Sequence, residues 1–289
     1  TRSQDVIDRA HRCADDLKDG NALKVFNPSD ELKAAASRGD MVAMIQHAME
    51  NDQFHLLFQP IVSLRGDTDE HYEVLVRMLN PKGEEVSPND FIAAANSEGL
   101  TEKIDRWVVL NSIKLLSEHR NKGHNTRLFV HISSATLQDQ GFLPWLSLAL
   151  KSARLPADAL IIQFSEPDAI EYLKQAKALT HGLAELHCKV SLSQFGGAAN
   201  PFNTLKHLSV DFVKTDGSYT QDLANPENLE ALKVLLNSLH AQAKLTIVPY
   251  VETATTMAAL WQTGVNYIQG YFLQGPSPSM NYEFASGND

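Results

Sequence analysis

Two cysteines among 289 residues, Cys13 and Cys188, cannot build a disulfide framework, and neither stands in the C-x-x-C or Cys/His spacing that would hold zinc. Two free thiols are the expectation. Long hydrophobic runs are missing too: no stretch approaches the roughly 20 apolar residues a membrane span needs, and residues 1–19 carry charge throughout, unlike a signal peptide. The chain therefore reads as a cytoplasmic protein without membrane insertion. Positive charge is not in excess either. Lys and Arg total 25 against 35 Asp and Glu, a formal net charge of -10, so no whole-chain field draws DNA, RNA or anionic lipid. Any anionic ligand must be caught by a local pocket. Finally, no G-x-G-x-x-G loop follows a strand-like run and no G-x-S-x-G elbow occurs, which argues against a dinucleotide fold and a serine-hydrolase site.

What is present is a core-forming chain, 43% hydrophobic, long enough for one large domain or two ordinary ones. Eight short runs have strand character: 55–64, 71–79, 127–133, 160–166, 189–195, 212–216, 245–252 and 267–273. Most are separated by helical periods such as Leu229, Leu232, Leu235, Leu236 and Leu239. Eight alternating units predict a (β/α)8 barrel rather than an open sheet. One link differs. Arg65-Gly66-Asp67-Thr68-Asp69-Glu70 is too short for a crossover helix, so the first two strands should pair antiparallel and one barrel strand should be reversed.

The N-terminus reads separately, as a polar helix over 3–18 that ends at Gly20 and a short strand over 22–26. The expected organisation is an upstream remnant over 1–28, a linker over 29–37, the barrel over 38–284 and a tail over 285–289. A helix over 37–51 should lead into the barrel.

Period-2 alternation selects the inward side chains of such a barrel, whose ligand site lies where the strands end. Glu73, Leu75 and Arg77 share one face, as do His131 and Ser133, and Gln163 and Ser165. Ser193 and Gln194, Lys214 and Asp216, Glu252, and Gln269 close their own strands. A polar ring at strand ends points to a site, because buried polar groups without partners cost roughly 1–3 kcal/mol each. Its chemistry is restricted. Metal-assisted phosphodiester hydrolysis needs several oxygen anions converging on hard cations, and here Glu73 is the clearest carboxylate among amides, hydroxyls and an imidazole.

Several motifs then align with a known family. Phe58-Gln59-Pro60-Ile61, Tyr72-Glu73-Val74-Leu75-Val76-Arg77, Ser87-Pro88-Asn89-Asp90-Phe91-Ile92 and Ile104-Asp105-Arg106-Trp107-Val108 resemble the opening of the EAL domain, the bacterial cyclic-di-GMP phosphodiesterase family. Phe212-Val213-Lys214-Thr215-Asp216, Val251-Glu252-Thr253 and Ile268-Gln269-Gly270-Tyr271-Phe272 resemble its closing motifs in order. The resemblance implies a (β/α)8 TIM-like barrel with an antiparallel first strand, and the segment before it is similar to the tail of a GGDEF domain.

The departures from the family matter most. By the resemblance, Glu73 is a retained metal ligand, but the family's metal-binding Asn corresponds to His131, the first Glu of its E-x-T-E motif to Gln163, its Asp-Asp pair to Ser193-Gln194, and its catalytic Glu to Pro249. Glu166, Lys214 and Gln269 are kept. One carboxylate cannot hold two divalent ions and Pro249 cannot take a proton, so the expectation is a domain without catalytic or metal residues. Resemblance implies that cyclic-di-GMP is held, independent of metal, by Gln59, Glu73, Leu75, Arg77, Ser87, Asp105, Glu252 and the Gln274-Gly275-Pro276 turn, with Tyr250 as an added aromatic platform. Arg77 and Lys214 should face phosphate with few competing anions. Similarity to degenerate family members implies an effector of type IV pilus-dependent twitching motility, placed at the pole of a bacterial cell, with a PilZ-domain protein as partner. A weak phosphodiesterase and a scaffold indifferent to nucleotide are the alternatives.

Overall fold

A computed structural model describes residues 28–284; the helix expected over 3–18, the strand over 22–26, Cys13 and the tail lie outside them. Helix α1 runs Pro28–Glu50, so the stretch 29–37 expected as a linker is helical, and the entry helix starts earlier than its apolar spacing indicates. Strand β1 (Phe54–Ser63) then pairs antiparallel with β2 (Glu70–Leu79), from Phe54 opposite Met78 to Ile61 opposite His71. The short link therefore does form the hairpin.

A two-residue strand β3 (Glu85–Val86), unforeseen from sequence, extends β2 outside the barrel. The chain continues through α2 (Pro88–Ser97) and α3 (Thr101–Asn121) to β4 (Thr126–His131). Next come α4 (Ser134–Gln138), α5 (Phe142–Ala153), β5 (Leu160–Ser165), α6 (Glu166–Glu171) and α7 (Leu173–Glu185). Strand β6 (Lys189–Phe195), α8 (Pro201–Leu205), β7 (Phe212–Thr215), α9 (Pro226–Ala241), β8 (Leu245–Val248), α10 (Ala254–Leu260) and β9 (Tyr267–Ile268) complete it. Strands β2 and β4 to β9 pair parallel in chain order, while β1 closes the ring antiparallel to both β2 and β9. This is the expected barrel with its reversed strand.

Two strands are shorter than their apolar runs predict. The seventh stops at Val248 rather than at residue 252, because Pro249 has no N–H to continue the ladder and Tyr250 turns into the left-handed region at φ 62°. The eighth stops at Ile268 instead of 273. Gly270 follows, where a Cβ would stand 2.1 Å from the Val251 carbonyl oxygen, so only glycine lets these two chain segments touch.

The barrel interior is layered. At the end where the parallel strands begin, Ile61, Phe129, Ile161, Phe212, Ile247 and Tyr267 form an apolar plug, distinct from the larger core between strands and helices. The buried ring of His71 lies edge-on to Phe129, Phe212 and Tyr267 within it. Side chains alternate along a strand, so the next inward layer is two residues on: Gln59, Glu73, His131, Gln163, Lys214, Pro249 and Gln269. Apart from His71, this polar layer sits on top of that plug.

Candidate functional site

The mouth above the plug is a cavity of about 570 Å³. Its lining includes Gln59, Glu73, Leu75, His131, Gln163, Ser193, Gln194, Lys214, Pro249, Tyr250 and Gln269, all singled out from the sequence. At its centre the Lys214 ammonium bonds the Glu73 carboxylate. Gln269 Nε2 donates to Glu73 Oε2 at 3.2 Å and to Gln59 Oε1 at 3.1 Å, and Gln59 Nε2 donates to the Gln274 carbonyl at 3.3 Å. Burial alone would push the Glu73 carboxyl up, but the charge and hydrogen bond of Lys214 and the amide of Gln269 hold it below the usual range. Lys214 is therefore already paired, with the one carboxylate among the few anions expected beside it.

His131 is held below its ordinary value by burial, against the pull of Asp105 and Glu73, so its imidazole is neutral near pH 7. Ser191 Oγ donates to Gln163 Oε1 at 2.9 Å and Ser193 Oγ to the Phe164 carbonyl at 3.3 Å. Gln194 sits at φ 54°, at the irregularity where β6 and β7 shift register. Tyr250 is 64% exposed and lies against Gly217, where a Cβ would meet its ring at 2.9 Å. Its exposed ring is thus seated by a glycine.

Part of the expected polar ring has another cause. Ser133, Ser165 and Asp216 are helix or 3-10 caps: their side chains accept from the N–H groups of Thr136, Asp168 and Ser218 at 3.4, 3.3 and 3.1 Å. A barrel strand that runs straight into a helix needs such an acceptor for the helix's free N–H groups. Glu166 likewise turns away from the mouth, accepting from the N–H groups of Gly196 and Ala198 at 3.2 and 3.0 Å.

Four residues carried over from the family stand apart from the lining. Asp105 is buried, and its Oδ2 accepts from Ser133 N, Ser133 Oγ and Thr136 Oγ1 at 2.8, 2.6 and 2.6 Å, so this oxygen secures the turn after β4. Arg77 extends the Glu73 and Leu75 face past the rim, where its Nε lies 3.3 Å from Glu85 Oε1 and its Nη1 donates to the Val76 carbonyl. Ser87 is exposed ahead of α2, and Glu252 is exposed four residues past the end of β8. Gly275 packs against Tyr271 beside the mouth, with Gln274 reached through Gln59 and Pro276 following in the same turn.

Lining residues that sequence reasoning missed include Thr215, Ser218, Gln221 and Tyr271. The Asp216-Gly217-Ser218 turn was a usable signal for the first two, since Asp followed by Gly marks a tight cap. Nothing in the local pattern marks Gln221.

The donor set does not suit a pair of hard cations. Glu73 is the one lining carboxylate in the deep layer and is bound to a lysine, while Asp216 caps a turn. Among the described residues, the two clusters whose Asp, Glu or His ligand atoms lie within 4.8 Å of one another are both at the opposite end of the barrel. What the mouth offers is neutral donors (amides and hydroxyls) and aromatic surface. No described helix is long and apolar enough to cross a membrane.

Comparisons with known proteins agree with this geometry. The solved EAL domain of FimX from Pseudomonas aeruginosa, bound to c-di-GMP, is 60% identical with a TM-score of 0.82, covering 85% of this chain and 100% of that one. The FimX EAL domain of Xanthomonas citri, in complex with c-diGMP, is 30% identical with a TM-score of 0.82 over 90% and 100%. Cyclic di-GMP phosphodiesterase PdeF of Escherichia coli K12 is 30% identical over 243 residues, 83% of this chain and 32% of that protein. The chain spans about a third of the length of the curated relatives it matches first. With residues 42–276 matching the family as a whole and the reversed-strand barrel on the page, the chain belongs to the EAL domain family.

Proposed function

We propose that the barrel mouth is a receptor for cyclic di-GMP that holds the dinucleotide without cleaving it and without bridging metal. The observation that carries this reading is the state of the deep layer, where the single carboxylate, Glu73, is bound to Lys214. Hydrolysis of a phosphodiester requires a nucleophilic water activated by cations or by a base, and His131, Gln163, Ser193, Gln194 and Pro249 supply neither an anionic cage nor a carboxylate base. Fewer anions also mean less repulsion toward a dianionic ligand. Hydroxyls and amides then serve as phosphate donors, Tyr250 and Leu75 as surface for the bases, and Arg77 as a rim cation able to exchange Glu85 for phosphate. Support for the ligand comes from the similarity to the FimX EAL domains solved with it.

The finer reading is that ligand occupancy is passed to a partner, a PilZ-domain protein, in control of type IV pilus-dependent twitching motility in the bacterial cytoplasm, at the pole. It is supported by the 60% identity to the FimX domain. Calorimetry of the chain with cyclic di-GMP in the presence of EDTA tests the central step. Saturable 1:1 binding is expected; no heat at ligand concentrations of tens of micromolar would end the reading.

A further inference from the structure

At the other end of the barrel, three ligand-type side chains from separate elements converge. Glu70 opens β2, His119 lies in the last turn of α3, and His124 lies in the loop before β4. Each oxygen of Glu70 faces one imidazole nitrogen: Oε1 is 3.1 Å from His124 Nδ1 and Oε2 is 3.6 Å from His119 Nε2. Two ligands bound tetrahedrally to one zinc at 2.0–2.2 Å stand about 3.4 Å apart, and the two separations bracket that value. The imidazoles are stacked, with centroids 3.9 Å apart and planes 11° from parallel, so sharing one ion requires one ring, the more exposed His124, to turn its nitrogen toward it.

A second observation points into the same space. His119 Nε2 is buried and lacks a hydrogen-bond partner, an uncommon state for a polar ring atom. The carboxylate is oriented by Thr126 Oγ1, which donates to Glu70 Oε2 at 2.7 Å. The loop is fixed by Glu70 N donating to the Asn125 carbonyl at 3.0 Å and Arg120 Nη1 to the Thr126 carbonyl at 2.7 Å. His124 is 43% exposed, which leaves a path for an ion and room for a water as fourth ligand.

We infer that Glu70, His119 and His124 form a binding site for a divalent transition metal, Zn²⁺ above all, that clasps α3 and the α3–β4 loop to the start of β2. Two imidazoles and one carboxylate are the donors that zinc takes, whereas Mg²⁺ and Ca²⁺ prefer all-oxygen sets. The clasp lies at the base of the barrel and is independent of the mouth.

The test is calorimetric titration of the tag-free, chelator-stripped chain with Zn²⁺ at neutral pH, paired with a visible spectrum after Co²⁺ substitution. One ion per chain, tetrahedral Co²⁺ bands and a higher Tm with Zn²⁺ are expected. The His119→Gln/His124→Gln double variant should bind on the order of 100-fold more weakly and lose the bands. Absent uptake, or uptake undiminished in the double variant, would overturn the site. Loss of uptake in Asp67→Asn would also overturn it, by moving the ion to the neighbouring Asp67, Asp69 and His71 group. Should the double variant fail to fold, His124→Gln, whose side chain is exposed, decides: about 10-fold weaker binding supports the clasp and unchanged binding contradicts it.

Discussion

The two ends of this barrel differ in chemical character. At the base, Asp67, Asp69, Glu70, His71, His119, His124 and Arg127 gather near a plug of aromatic rings and isoleucine side chains. At the mouth, where a barrel of this kind places its chemistry, the deep layer holds amides, an imidazole, a proline and one lysine-bound carboxylate. The net charge of -10 is therefore a property of the surface and the base more than of the pocket. A ligand site can survive the loss of its catalytic anions because binding needs donors and surface, whereas hydrolysis needs an organised set of anions.

The largest effect should come from breaking the one charged contact of the mouth. Lys214→Met leaves Glu73 buried and unpaired, and should cost about 3–5 kcal/mol in chemical denaturation. Glu73→Gln combined with Lys214→Met should return to within about 1 kcal/mol of the parent, since two neutral side chains replace the pair. Additive losses in the double variant would show that the pair is not a coupled unit.

Next is the base. Burial lowers the His71 imidazole from 6.5 to about 4, so the unfolded chain takes up a proton that the folded chain refuses. Its contribution to stability is intact above pH 6.5, falls as pH drops toward 4, and amounts to about 3 kcal/mol across that window. Denaturation midpoints measured from pH 7 to pH 4 should show that slope, and His71→Phe should flatten it. Glu73 acts in a lower window, since its depressed carboxyl stabilises the fold above the ordinary carboxylate range and loses that effect as pH falls through its folded value.

Arg77→Ala should weaken cyclic di-GMP by about 1.5–3 kcal/mol in calorimetry. Its effect on folding should stay below about 1 kcal/mol, because the Glu85 partner is half-exposed. Unchanged affinity would remove the rim cation from the proposed site. The smallest change is Asn225→Ala, which removes the cap bonded to Glu227 N at 2.9 Å and should cost about 1 kcal/mol of stability while leaving ligand affinity alone. Asn225 does not line the cavity, so a shift in affinity would show that the mouth depends on α9.

The barrel was legible because alternation and loop length are local signals. The link from Arg65 to Glu70 is long enough for a turn and nothing more, and the hairpin follows. The inward layer of Glu73, His131, Gln163, Lys214 and Gln269 follows from the period of two, with Gln59 added by the family resemblance. The partners of these side chains were not legible, because they come from distant strands. Lys214 meets Glu73 across 141 positions, and Asp105 meets Ser133 and Thr136 only once α3 packs beside β4. Strand ends were hidden for a related reason: Val248-Pro249-Tyr250-Val251 is apolar enough to read as strand, while Pro249 and the left-handed Tyr250 end the ladder. The clasp of Glu70, His119 and His124 has no spacing signature, since its ligands belong to a strand start, a helix end and a loop.

The claim that the mouth binds but does not cleave is tested most directly by incubating the chain with cyclic di-GMP and Mg²⁺ or Mn²⁺ for hours and separating the nucleotides by chromatography. Intact cyclic dinucleotide is expected, from the parent and equally from Pro249→Glu, because a restored base still lacks the anions that hold metal. Linear dinucleotide accumulating from the parent, in proportion to protein and time, would contradict the account and return the chain to the phosphodiesterases it resembles.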